Sequence, residues 1–184
     1  MAARAIPAPL AQLPNALTVF RFALIPLFVV LVLADDGAGS RTTAAVFALA
    51  GATDQVDGWL ARRWRVESQF GKLADPLADR LMIDAAVILL WLDGRLPWPA
   101  LAVILARDAG LVLGYPAVRK RGYEFEVNEL GKLATWVLYA SLIGVIASDD
   151  ATTWPLVLFW TGLALALAAA ALYLAKAWRE VRAP

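Results

Sequence analysis

The chain has 184 residues, 61% hydrophobic and 18% charged, with a mean hydropathy of +0.64. A soluble domain of this size has too little interior to hide that much apolar surface, so the composition implies a bilayer as solvent. A net charge of +1 offers no global basic field for nucleic acid, and the lack of cysteine and histidine excludes disulfides, thiolate metal sites and imidazole bases. Any metal must be held by oxygen, and any general base must be a carboxylate or a rarer group.

The opening stretch, Met1 to Pro14, has three prolines and one arginine and lacks the basic start and cleavage site of a signal peptide. Val32-Leu33-Ala34 imitates a cleavage site, but five further apolar segments follow, so the first run reads as a membrane helix. Six membrane helices are predicted, each near the ~20 residues that a bilayer requires. They run from Ala16 to Ala34, Thr42 to Arg62, Lys72 to Leu92, Trp98 to Val118, Leu130 to Ala147 and Trp154 to Ala177. Breaks fall at Asp35-Asp36-Gly37, Asp93-Gly94, Arg121-Gly122 and Asp149-Asp150. The runs are long and continuous, unlike the short alternating strands of a membrane barrel. The expected fold is one all-α membrane domain over residues 1–184, with 1–14 as a juxtamembrane segment. Tryptophans near predicted helix ends, such as Trp64, Trp98, Trp154 and Trp178, fit an interfacial belt.

Charge placement orients the helices. Arg62, Arg63, Arg65, Lys72 and Arg80 cluster around the second-to-third connection, Arg119, Lys120, Arg121 and Lys132 around the fourth-to-fifth, and Lys176, Arg179 and Arg182 near the end. The opposite loops carry only Arg41 and Arg95 beside Asp35, Asp36, Asp93, Asp149 and Asp150. The positive-inside rule therefore predicts a multi-pass protein of the cytoplasmic (inner) membrane with both termini in the cytoplasm.

Four carboxylates lie around the second-to-third connection. Asp54 and Asp57 are three residues apart and Asp75 and Asp79 four apart, so each pair shares a helix face. The stretch from Gly58 to Ala74 is long enough for the two helices to run antiparallel with their acidic faces meeting. Four such acids near a membrane repel one another and are costly to desolvate, and divalent cations are the simplest compensation. Hard oxygen donors point to magnesium or manganese. A plainer alternative pairs Asp54 and Asp57 with Arg62 or Arg63 and leaves Asp75 as a helix cap. A cation transporter would also account for intramembrane acids, though not for the glycines and arginine among them.

From Asp54 to Asp79 the sequence reads D-x2-D-G-x2-A-R-x8-G-x3-D-x3-D, with Asp54, Asp57, Gly58, Ala61, Arg62, Gly71, Asp75 and Asp79 at the fixed positions. This resembles the signature of the CDP-alcohol phosphatidyltransferases with every position filled. The stretch Pro14-Asn15-Ala16-Leu17-Thr18-Val19-Phe20-Arg21 is similar to that family's first-helix start. The resemblance implies two metal ions per active site on the cytoplasmic side, at the ends of helices 2 and 3. Asp54, Asp57 and Asp75 would hold them, with Asp79 completing the set and acting as general base. It implies CDP-diacylglycerol as donor, with its cytidine near Gly58, Ala61, Arg62 and Gly71, release of CMP, and a homodimer. These roles agree with the chemistry: a diphosphate must be neutralised before a nucleophile approaches, glycines allow close backbone approach, and arginine gives a fixed positive charge.

The acceptor is less sharply written. Arg107 and Asp108 lie in the fourth apolar segment, where charge is costly. They form either a structural pair or, with Arg107 joined by Arg119, Lys120, Arg121 and Lys132, part of a basic pocket for an anionic acceptor. The stretches from Gly71 to Arg80 and from Gly131 to Thr135 resemble the glycerophospholipid branch of the family, which favours a glycerol-type acceptor. Phosphatidylglycerophosphate synthases usually carry arginine–glutamate in the fourth helix, whereas Arg107-Asp108 is nearer to cardiolipin synthases. Glycerol 3-phosphate is the preferred acceptor and phosphatidylglycerol the alternative. Asp84, four residues beyond Arg80, reads as its helix-face partner.

Overall fold

The computed structural model describes residues 12–35, 40–64, 66, 69–119, 129–149 and 152–182, with backbone alone for Asp54, Arg62, 69–76, 111–119, 173–174 and 177–182. Among these residues the chain is six α-helices and no strand: α1 Leu13–Leu33, α2 Arg41–Trp64, α3 Gln69–Leu92, α4 Trp98–Arg119, α5 Glu129–Ala147 and α6 Trp154–Arg182. The predicted cores of all six are present. Several ends extend past the apolar runs, because polar residues at a membrane helix end need not stop the helix. α1 begins before Ala16, with Pro14 in its first turn, where a missing N–H costs nothing. α6 runs through Lys176 and Arg179 to Arg182, well beyond Ala177.

Among the described residues, three helices are long and apolar enough by themselves to cross a membrane: Leu13–Leu33, Glu129–Ala147 and Trp154–Leu172. The others carry the charges of interest, Asp54, Asp57 and Arg62 on α2, Asp75, Asp79, Arg80 and Asp84 on α3, and Arg107 and Asp108 on α4.

α1 packs on α2 and α3, α2 on α5, and α5 most extensively on α6. The α5–α6 contact is close at Gly162: a Cβ there would lie 3.1 Å from the Leu138 backbone nitrogen, so a larger residue would push the helices apart by a few tenths of an ångström. An aromatic column of Phe28, Phe47 and Tyr139, with ring centroids 5.3 Å apart at each step, links α1, α2 and α5. Met82, Ala86 and Leu90 of α3 and Leu138 and Leu142 of α5 fill the same core. Outward faces carry Val19, Leu27, Val30, Trp59, Trp98 and Trp154, the apolar exterior that lipid requires.

The end remote from the acidic motif is closed by polar contacts. The predicted break at Asp93-Gly94 is a Schellman motif: Gly94 (φ 77°) donates to Trp91 O at 3.0 Å and Arg95 N to Leu90 O at 2.9 Å. The Arg95 guanidinium donates to the carbonyls of Val145 and Ser148, satisfying the last turn of α5. Ser40 caps α2 by accepting the Thr43 N–H at 3.2 Å, and its own N–H binds Ile146 O at 2.9 Å.

Candidate active site

The acidic motif occupies the ends of α2 and α3 next to their connection, and α1 and α5 pack beside it. Asp57 is 1% exposed and lies one turn beyond Asp54 on α2. Its Oδ2 pairs with the guanidinium of Arg21, which is 0% exposed on α1. A buried carboxylate needs a countercharge, and here another helix supplies it. One turn before Arg21, the Thr18 hydroxyl donates to Pro14 O at 3.1 Å and is satisfied within the helix.

On α3, Asp79 is partly buried, and its Oδ1 accepts a hydrogen bond from the Tyr139 hydroxyl of α5 at 2.6 Å. The charges of Arg21, Arg80 and Asp108 all act on it. Asp57 and Asp79, one from each half of the motif, thus share the field of a single buried arginine. Gly58 and Ala61 lie half-buried on α2. Asp54 and Arg62 on α2, and Gly71 and Asp75 on α3, keep their helical positions, and their side chains lie outside the described residues.

A second charged junction adjoins the first. Arg80 donates through Nη1 to Asp108 Oδ1 at 3.2 Å and to the Asp108 carbonyl at 3.4 Å, joining α3 to α4. Arg107 Nη1 lies 3.2 Å from the same carboxylate oxygen. Asp84, one turn beyond Arg80, also interacts with Asp108 as well as with Arg80 and Arg107. The structural pairing of Arg107 with Asp108 is therefore present, and the helix-face relation of Asp84 to Arg80 is one part of a four-residue network. Lys132 is exposed at the start of α5 and pairs with Glu129 at 2.7 Å. Arg119 ends α4 with its side chain outside the described residues, and Lys120 and Arg121 lie outside them entirely.

The donor set suits a hard divalent cation, since the motif offers carboxylate oxygen and no softer ligand. Among the described residues no three acidic side chains gather at metal-holding distance; two of the four motif acids, Asp54 and Asp75, have side chains outside that set.

Two functional candidates stand outside the signature. Arg21 carries a sequence signal, a lone arginine in an apolar span, where a charge marks a partner or a site. Tyr139 carries almost none, because a tyrosine in a membrane helix is unremarkable until its hydroxyl meets a carboxylate.

A family model for CDP-alcohol phosphatidyltransferases matches residues 11–173, from just before α1 to well into α6. The chain belongs to that family. A chloroplastic/mitochondrial CDP-diacylglycerol–glycerol-3-phosphate 3-phosphatidyltransferase of Arabidopsis thaliana is 34% identical over 91% of this chain and 63% of its own length. A CMP-forming cardiolipin synthase of Streptomyces coelicolor is 39% identical over 74% of this chain and 66% of its own length. A CDP-diacylglycerol–glycerol-3-phosphate 3-phosphatidyltransferase of Yersinia enterocolitica is 31% identical over 94% of this chain and 98% of its own. The chain thus spans just under two thirds of the Arabidopsis and Streptomyces proteins and nearly all of the Yersinia protein. Relatives of both names fall within the glycerophospholipid branch that the Gly71–Arg80 and Gly131–Thr135 stretches resemble.

Proposed function

We propose that this chain transfers the phosphatidyl group of CDP-diacylglycerol to glycerol 3-phosphate, forming phosphatidylglycerophosphate and releasing CMP. The observation that carries this reading is the pairing of an unbroken family motif with a buried Arg21–Asp57 contact and Asp79 next to it. The relatives named as glycerol-3-phosphate phosphatidyltransferases support the choice of acceptor.

In this reading residues 1–184 form one membrane domain with six spans, both termini in the cytoplasm of the inner membrane, and the site at the cytoplasmic ends of α2 and α3. Asp54, Asp57 and Asp75 would hold two magnesium or manganese ions, with Asp79 completing the set. When bound, such ions neutralise the diphosphate and stabilise the departing CMP. Gly58, Ala61, Arg62 and Gly71 bind the cytidine and diphosphate end of the donor; the glycines allow close approach, and the Arg62 charge is directed at phosphate. The acceptor hydroxyl is oriented against the phosphorus that bears the diacylglycerol. Its oxygen forms the new P–O bond, the bond from that phosphorus to CMP breaks, and the hydroxyl proton passes to the Asp79 carboxylate.

Arg107, Arg119 and Lys132 bind the anionic acceptor. The Arg107–Asp108–Arg80 junction supports this by fixing the Arg107 guanidinium against α3, on the carboxylate that it shares with Arg80. The chain acts as a homodimer in the bilayer. A second reading, transfer to phosphatidylglycerol to make cardiolipin, is favoured by Arg107-Asp108 and by the Streptomyces relative.

Acceptor-dependent CMP release separates the two. Purified protein in liposomes with CDP-diacylglycerol and manganese or magnesium should release CMP with glycerol 3-phosphate. Release with phosphatidylglycerol alone would replace the first reading by the second, and uptake of cation without transfer would favour a transporter over both.

A further inference from the structure

Tyr139 is the residue that the motif does not name and the fold brings to it. It comes from α5, sixty positions from Asp79, yet its hydroxyl donates to Asp79 Oδ1 at 2.6 Å. The ring cannot move freely. Phe47 packs against one side at a centroid distance of 5.3 Å. Gly51, one turn further along α2, faces the ring so closely that a Cβ there would lie 2.8 Å from Cε1 and 3.0 Å from Cδ1. Tyr139 itself is 8% exposed. A buried phenol held by two residues of α2 thus has its one polar atom on a carboxylate of α3.

We propose that Tyr139 is a positioning residue for phosphatidyl transfer: it fixes the rotation of the Asp79 carboxylate, and Gly51 exists to admit its ring. A carboxylate on a short side chain can turn about its last bond, and each turn changes which oxygen meets the acceptor. A donor fixed on Oδ1 removes that freedom and assigns Oδ2 to the incoming proton. Because the donor is a phenol locked by packing, orientation is set before substrate arrives. The inference rests on the reading of Asp79 as the base, and the arms below separate the two.

Y139F keeps the ring and its packing and removes only the hydroxyl. It should lower kcat by about 10–100-fold, the usual cost of losing a group that orients a site ligand, with KM for CDP-diacylglycerol within about twofold. G51A keeps the hydroxyl and displaces the ring, and should lower kcat in the same way. In the Y139F background G51A should lower kcat little further, because the hydroxyl whose position it disturbs is already gone. Melting in detergent without divalent ions gives a readout independent of turnover: the shifts caused by Y139F and D79N should be strongly non-additive. Wild-type kcat in a folded Y139F would overturn the proposal, as would losses from Y139F and G51A that multiply, which would mean that the ring's placement by Gly51 and the hydroxyl act independently. An inactive D79N beside a fully active Y139F defeats the positioning role and leaves Asp79 as base. A fully active D79N defeats both.

Discussion

Replacing Arg21 by glutamine isolates the contact on which the site's electrostatics depend. Arg21 and Asp57 are 0% and 1% exposed, so neither charge has bulk water to fall back on when the other is removed. Removing one member of such a pair costs about 3–5 kcal/mol, because the remaining charge stays buried without its partner. For a chain of this length about 2–4 °C of melting temperature corresponds to each kcal/mol, so R21Q should melt roughly 6–20 °C lower. The eight tryptophans make intrinsic fluorescence a direct probe of that transition in detergent. Adding D57N should recover much of the loss, since it removes the carboxylate that R21Q leaves buried without a countercharge. Manganese should narrow the gap between R21Q and wild type, because a cation on the aspartates replaces part of the missing countercharge. An R21Q melting point within about 2 °C of wild type in EDTA, or R21Q and D57N effects that add, would refute the pairing.

Three further substitutions probe other parts of the structure. Gly162→Val places a branched side chain against the Leu138 backbone and should cost about 1–3 kcal/mol by separating α5 from α6, read as a lower melting temperature. Gly94→Ala forces a side chain into the left-handed conformation of the α3–α4 turn and should cost about 1 kcal/mol in the same melting experiment, with kcat unchanged because the turn lies at the far end of the bundle. Asp108→Asn removes the carboxylate that both Arg80 and Arg107 contact, and should raise KM for the acceptor by about tenfold or more with KM for the donor little changed, measured by CMP release at varied glycerol 3-phosphate.

The sequence made the motif and the helices legible for one physical reason: both are local. Asp54 and Asp57, or Asp75 and Asp79, announce a shared face by spacing alone, and an apolar run of membrane length announces a helix. Helix ends were less legible, because the charged residues that interrupt the apolar run between Ala177 and Arg182, namely Arg179, Glu180 and Arg182, are not helix breakers. Beyond the meeting of α2 and α3, the side-chain partners between helices were not legible. Nothing in the spacing says that Arg21 reaches Asp57 across 36 positions, Tyr139 reaches Asp79 across 60, or Arg80 reaches Asp108 across 28. Those partners are chosen by helix packing, and packing is set by features such as Gly162 and Gly51, whose significance appears only when the facing helix is in place. Arg107 illustrates the same point from the other side. Its charge in an apolar segment was conspicuous, while the sharing of Asp108 between two guanidiniums required the α3–α4 contact to be seen.

The most direct measurement is CMP release by the wild-type protein and D79N in liposomes containing CDP-diacylglycerol and manganese, with and without glycerol 3-phosphate. The expected result is release by wild type that depends on glycerol 3-phosphate and yields phosphatidylglycerophosphate, with D79N folded and at least about 100-fold slower. Folded wild-type protein that releases no CMP with this acceptor, or a D79N variant as fast as wild type, would contradict the proposed reaction or its base.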